Sequence, residues 1–307
     1  MDTVHLRFDS ELVSQEIWEA SLDKIEYEYT ITNKLGYITY SGHLGNLKIT
    51  RNFKNLYIKG SLTKFLLGDN CKTMSISDIE LAIQNLSDIF GLPIEEAEVT
   101  RLDFAVNLLM NYPPDSYYKY LASAQHYKRY LNDTTLTFKN SLREFSFYDK
   151  TREMKYRRNE IPKPWKWENI LRIELRIKNK VDKYFNDIVI ASKLYEEDFY
   201  ILVRRKWFEE YQKIVKEGDP VIDMASIKKP KDFMDALAYI GAKSLGLDNT
   251  LEYIEELKTI EAFKDKSQYS KLKSQINNGF KNQKKVIPNE FILELENKVK
   301  SVMLYYF

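Results

Sequence analysis

The chain has 307 residues, a net charge of +2, 44% hydrophobic and 30% charged residues, which is enough apolar material for a buried core under a well-solvated surface and suggests two domains or one large domain with a helical appendage. Its single cysteine, Cys71, excludes an intrachain disulfide framework and a cysteine-based zinc cluster. No apolar run approaches the ~18 residues of a membrane span, and the first residues lack a basic stretch followed by an apolar one, so a cytoplasmic protein with no membrane partner is expected.

Residues 3–60 read as short strands, VHLRF, IEYEYTIT, YITYSG, LKITRN and LYIKG, separated by Gly and Asn, with a helix over about Ser10–Ser21. ISDIELAIQNLSDIF (76–90) carries Ile and Leu at helical spacing, with Ser75 or Ser77 as cap and Gly91-Leu92-Pro93 as stop. VTRLDFAVNLLM (99–110) is a clear strand. A Tyr-rich helix over about Ser116–Arg129 is expected next, then the strands TLTFKN and LREFSFYDK and a basic Pro- and Trp-containing connection over 152–168. ILRIELRIK (170–178) is a further strand, followed by helices over about Lys180–Ile190 and Asp198–Lys216. A turn at 218–220 marks a domain boundary, and everything after it reads as helical. The expected fold is α+β, an antiparallel or mixed sheet with helices on one face, in a domain over 1–217, with a helical C-terminal region over 218–307.

Charge is unevenly spread. Residues 139–183 hold 14 Lys/Arg and 7 Asp/Glu, a local net of +7 in a chain of net +2. Such a patch suits a polyanion, and Arg157 and Arg158 in the basic connection are candidate DNA contacts. The 22 Tyr, 16 Phe and 4 Trp fit stacking on unpaired bases.

Side chains alternate across a strand. Leu102, Phe104 and Val106 therefore share one face while Arg101 and Asp103 share the other; Arg172, Glu174, Arg176 and Lys178 oppose Leu171, Ile173, Leu175 and Ile177; and Glu144, Ser146, Tyr148 and Lys150 oppose Phe145 and Phe147. If the three strands share a sheet, the polar sides form one surface of acids ringed by bases. The hard oxygens of Asp103 and Glu174 suit Mg²⁺ or Mn²⁺, and Arg101, Arg172, Arg176 and Lys178 suit phosphate, together a setting for metal-assisted phosphodiester chemistry. The three histidines are not paired and no Ser/His/Asp or Cys/His set is apparent, so a tyrosine is the expected nucleophile. Lys150 or Lys178 is positioned to activate it. Tyr184, ten residues after Glu174 on the helix leaving that strand, is the first candidate, and Tyr211, beside Trp207, is its competitor.

TRLDFAVN (100–107), EFSFYDK (144–150) and LRIELRIKNKVDKYFND (171–187) resemble the motifs of the replication-initiation-factor superfamily, which includes plasmid rolling-circle initiators of the Rep_trans type and relaxases of integrative elements. IKGSLTKFLLGDN (58–70) resembles a segment of phage/plasmid replication proteins of the II/X family. The similarity spans about residues 55–215. The resemblance implies metal-dependent nicking and rejoining of one strand at an origin, single-stranded or extruded as a hairpin, through a 5′-phosphotyrosine. It assigns Arg172 and Glu174 to the acidic strand motif, Asp103 to the earlier one, Lys150 to the lysine of YDK, Glu144 to a third ligand and Tyr184 to the nucleophile. The H-x-H metal motif of other rolling-circle initiators is absent, so a bound ion would rest on carboxylates. Host helicase and polymerase are the implied partners, and a homodimer stays open. The alternatives are a non-catalytic DNA-binding regulator of a mobile element, a relaxase sharing the chemistry, and an interaction protein whose polar sheet face is merely solvated. DFMDALAYIGAKSLGLDNTLEYIEELK (232–258) reads as two helices about a Gly turn, open to a helix-turn-helix role.

Overall fold

The computed structural model describes residues 1–307 apart from 25, 219–220, 282–285, 288 and 306–307. Ten strands form one sheet: β1 (Thr3–Asp9), β2 (Tyr29–Thr32), β3 (Ile38–Leu44), β4 (Leu47–Arg51), β5 (Asn55–Ser61), β6 (Glu98–Met110), then, after the separate short β7 (Leu121–Ala124), β8 (Lys128–Leu131), β9 (Thr135–Lys139), β10 (Arg143–Asp149) and β11 (Asn169–Ile177). The order across the sheet is β2-β3-β4-β5-β1-β6-β11-β10-β9-β8. Each neighbouring pair runs antiparallel. The fold is α+β, as the strand and helix patterns predict. No helix among the described residues is long and apolar enough to cross a membrane.

The helices are α1 (Gln15–Ala20), α2 (Leu62–Leu67), α3 (Ile76–Phe90), α4 (Asp115–Tyr118), α5 (Lys150–Tyr156), α6 (Val181–Phe185), α7 (Glu197–Gln212), α8 (Pro230–Leu245), α9 (Leu247–Thr259), α10 (Ser267–Lys281) and α11 (Glu290–Tyr305). Ser75 caps α3 in a reciprocal box with Asp78, satisfying two backbone donors at once, and Gly91, at φ 62°, ends it. α7 lies on the apolar face of the sheet. Tyr200 and Trp207 meet Phe104 edge-on, and Trp207 also meets Phe145. Phe145, Phe147, Leu171, Ile173, Leu175 and Leu102 are at most 1% exposed beneath this layer.

Residues 1–215 with 298–307 form one compact unit, and residues 216–297 form a second. The second contains α8, α9 and α10 and a two-stranded ribbon, Val221–Ile222 with Val286–Ile287, where the sequence reads as helix alone. α8 and α9 meet at Gly246, the expected helical pair about a glycine. The expected turn at 218–220 and the first residue of the strand run 25–32 fall partly outside the described residues.

Three other expectations change. The Tyr-rich segment after Pro114 has only one turn of helix; residues 128–131 instead pair with β9 as a hairpin turned at Asn132, whose side chain accepts from the Thr134 and Thr135 amides. Tyr and Leu in this segment fit both helix and strand spacing, and the cross-strand partner decides. The expected helix 180–190 stops at Phe185 because Asn186 turns left-handed, at φ 56°. The helix expected over 10–21 is reduced to α1 with 3₁₀ turns on either side.

Candidate functional site

β6, β11 and β10 are adjacent. Directly opposed residues of an antiparallel pair share a face. Asp103 opposes Arg176, Arg176 opposes Glu144, Ala105 opposes Glu174, Glu174 opposes Ser146, and Arg172 opposes Tyr148. The polar halves of the three strand motifs therefore form one surface, on the side of the sheet away from α7. The same face continues through His5, opposite Arg101, and Lys59, opposite His5, two residues outside the sequence expectations. Their signal was weak, since β1 and β5 alternate without a motif.

Within this surface the acids lie low and the bases lie over them. Arg101 grips Asp103 with two hydrogen bonds, Nε to Oδ1 at 2.9 Å and Nη2 to Oδ2 at 2.6 Å. Arg176 bridges Glu174 and Glu144, each at 2.8 Å, and Lys178 reaches the other Glu144 oxygen at 2.5 Å. The Asp103 and Glu174 side chains are 1% and 5% exposed, whereas those of Arg101 and Arg176 are 27% and 30% exposed. Desolvation pushes the Asp103 carboxyl up to about 6, with the Glu174 charge adding to it and Arg101 acting against it. Burial raises Glu144 as well, but the Lys178 hydrogen bond and the Arg176 charge outweigh it and hold that carboxyl below its ordinary value. The solvent side of the face therefore presents guanidinium and ammonium groups, a form suited to phosphate.

Five of the six oxygens of Asp103, Glu174 and Glu144 accept hydrogen bonds from Arg101, Arg176, Lys178 or Tyr148. Among the described residues no group of three or more His, Cys, Asp or Glu side chains is arranged to hold a metal ion. Three hard ligands with open oxygens are what Mg²⁺ or Mn²⁺ would need here, and the donors as arranged do not fit a resident ion.

Two expected members of the face are placed differently. The strand ends at Asp149, whose side chain caps α5 by accepting from the Arg152 amide. Lys150 is thus the first residue of a helix and not the last of a strand, so alternation does not apply to it. It is 1% exposed and donates to Asn70 and Glu153, at 2.9 and 2.8 Å. Arg172 does lie on the polar face, but there it is buried, ion-paired with Asp2 and donating to the Asn70 carbonyl and Asn107. Both hold the chain after α2 onto this end of the sheet and neither offers a free cation to DNA. Arg157 and Arg158 are exposed just beyond α5, and Arg157 also pairs with Glu153.

The tyrosines separate by face. Tyr148 lies on the polar side, and its hydroxyl donates to Glu174 Oε2 at 3.1 Å. Burial raises its pKa, so the phenol is held protonated until a base takes the proton. Alternation already set Tyr148 beside Glu144, whereas spacing along the chain from Glu174 pointed to Tyr184. Tyr184 donates to Glu210 Oε1 at 3.2 Å, and Arg143 lies 4.9 Å from its ring. Arg143 precedes Glu144 in β10 and so faces the other way, pairing with Glu210 of α7 at 2.5 Å. Tyr127 donates to the same carboxylate at 2.7 Å. Tyr184 therefore belongs to a cluster on the helix-covered side, separated by the sheet from Asp103 and Glu174. Tyr211, on α7 itself, is 1% exposed.

The Phage_CRI family model, described as the N-terminal part of a replication-associated protein, matches residues 13–207, which contain all of this surface except the part contributed by β1. A search of curated proteins finds no match.

Proposed function

The chain belongs to the Phage_CRI family of replication-associated proteins, and on that premise we propose that it initiates rolling-circle replication by nicking one DNA strand with a tyrosine on the polar sheet face. The observation that carries the chemistry is the Tyr148 hydroxyl on Glu174, under the half-exposed Arg176. Arg101, Arg176 and Lys178 hold the strand by its phosphates. Tyr148 Oη attacks the scissile phosphorus while Glu174 accepts its proton. The P–O3′ bond breaks as the P–Oη bond forms. The products are a 5′-phosphotyrosine and a 3′-oxygen that takes up a proton and primes a host polymerase, on a template opened by a host helicase. The ester keeps the energy of the broken bond, so attack by a 3′-OH reverses the step and rejoins the strand.

A second reading keeps Tyr184 as nucleophile. It is favoured by the resemblance of 171–187 and by the 3.2 Å contact to Glu210, with Arg143 alongside. The two readings separate in one experiment. Wild type, Tyr148→Phe and Tyr184→Phe are incubated with single strands from the replicon's own origin region in Mg²⁺, Mn²⁺ or EDTA, and the covalent adduct is mapped by mass spectrometry. The expected adduct lies on the Tyr148 peptide, disappears in Tyr148→Phe and survives in Tyr184→Phe. An adduct that persists in Tyr148→Phe overturns the assignment. Salt-sensitive DNA binding with no adduct in any ion would mark a non-catalytic regulator. The EDTA arm measures the ion requirement directly.

A further inference from the structure

Next to Tyr148 the polar face opens into a cavity of about 560 Å³, lined by Thr134, Thr135, Tyr148, Asp149, Arg152 and Tyr156, with Glu153 and Lys155 completing the wall. We propose that this cavity is a base-binding subsite for the single nucleotide adjoining the scissile phosphate. The proposal rests on Tyr148 as the nucleophile for its position in the reaction, and on the cavity itself for its chemistry.

Size comes first. A cavity of this volume falls in the range that encloses one small ligand. It admits one flipped or unpaired nucleotide and no duplex. The wall chemistry then orients the guest. Asp149 and Glu153 both contribute carboxylates, the first capping α5 and the second pairing with Lys150 and Arg157. A phosphate driven inward would meet these acids. A base would instead meet two tyrosine rings and the hydroxyls of Thr134 and Thr135, which can both donate to and accept from base edges. Phosphate belongs at the rim, where Arg152 and Lys155 are exposed and carry no ion pair among the described residues.

The exposed aromatics point the same way. Tyr156, the last residue of α5, is 90% exposed. Trp167, further along the same basic connection, is 88% exposed, with Lys166 near its ring. Large rings left in water within a basic segment form the usual platform for unpaired bases. The connection adds Arg157, Arg158 and Lys163 in the residues that follow α5. A strand seated with one base in the cavity would bring its neighbouring phosphate to Tyr148 and continue over these residues.

The test uses the full-length Tyr148→Phe protein, which keeps the ring and cannot form the ester. The probe is a short oligothymidylate carrying one 2-aminopurine, and the readouts are its fluorescence and its binding affinity. The parent is expected to change the 2-aminopurine emission on binding. Adding Tyr156→Ala is expected to abolish that change and weaken binding about tenfold, within the 1–3 kcal/mol found for a base–aromatic stack. Tyr156→Phe is expected to restore both. Because Tyr156 is almost wholly exposed, these changes leave the fold intact, which circular dichroism checks. Undiminished emission change and affinity in Tyr156→Ala would overturn the subsite, whatever the nicking assay shows. Loss of both in Tyr156→Ala supports the subsite even if the wild type forms no adduct, the outcome that would instead sink the nicking reading.

Discussion

Asp103 gives the sharpest thermodynamic test, because two features of its surroundings make opposite forecasts. The bidentate Arg101 contact on its own would hold the carboxylate charged and stabilising. Burial at 1% exposure, beside the Glu174 charge, pushes the carboxyl up to about 6 from an ordinary 3.8, and burial wins. Between those two values the folded protein holds a proton that the unfolded chain has released, so stability falls as pH rises, by ~1.4 kcal/mol for each pH unit. Across the window the loss is about 3 kcal/mol, complete above the folded value and absent below the unfolded one. Asp103→Asn preserves the volume and removes the titration. Urea unfolding of both proteins between about pH 4 and about pH 7 isolates Asp103 with its coupling to Glu174, since groups that do not interact with Asp103 cancel in the difference. The stability of wild type minus that of Asp103→Asn is expected to fall by most of this amount. A flat difference, or one that rises with pH, would refute the reasoning and show that Arg101 outweighs burial.

Removing Asp2 with Asp2→Asn leaves Arg172 buried without its counter-charge and is expected to destabilise the fold by about 3–5 kcal/mol, read as a lowered urea midpoint. The Asp2 carboxyl sits below its ordinary value, where the charge of Arg172 and the Ser61 hydrogen bond outweigh burial. Its contribution is therefore lost as pH falls through that lowered value, the opposite sense to Asp103. Arg176→Ala takes a half-exposed cation from above Glu174 and Glu144; single-strand binding should weaken, and the slope of log affinity against log salt should shrink by about one phosphate contact, measured by fluorescence anisotropy. Ser75→Ala opens the capping box of α3 and should cost about 1 kcal/mol in chemical denaturation without changing DNA binding.

Much of the site was legible because strand alternation is a local rule. The period-two pattern in 101–106, 144–148 and 171–177 put Asp103, Glu144, Glu174, Arg176 and Tyr148 on polar faces before any pairing was known, and the sheet then joined those faces. The same rule failed at Lys150, where Asp149 turns the strand into a helix by capping it. It held for the face of Arg172 but not for its exposure, since Asp2 and Asn70, residues more than a hundred positions away, bury it there. The helices in 116–129 and 180–190 are shorter than their spacing predicts for a related reason. Tyr, Leu and Val tolerate either conformation, and a cross-strand partner or a left-handed residue settles which one forms.

By itself, then, the sequence determined the α+β class, the amphipathic strands, the basic stretch over 139–183 and the likeness to replication initiators, since each depends on residues close together along the chain. Tertiary structure alone decided which tyrosine shares a surface with the acids. A tyrosine's distance along the chain from Glu174 says nothing about which side of a sheet it reaches. Tyr184, ten residues downstream, folds back under α7 to Glu210, while Tyr148, 26 residues upstream, sits across from Arg172 and bonds Glu174. Tertiary structure also decided the surroundings of the carboxylates: arginines from neighbouring positions close over Asp103 and Glu174, and burial, which no single segment encodes, raises the Asp103 carboxyl.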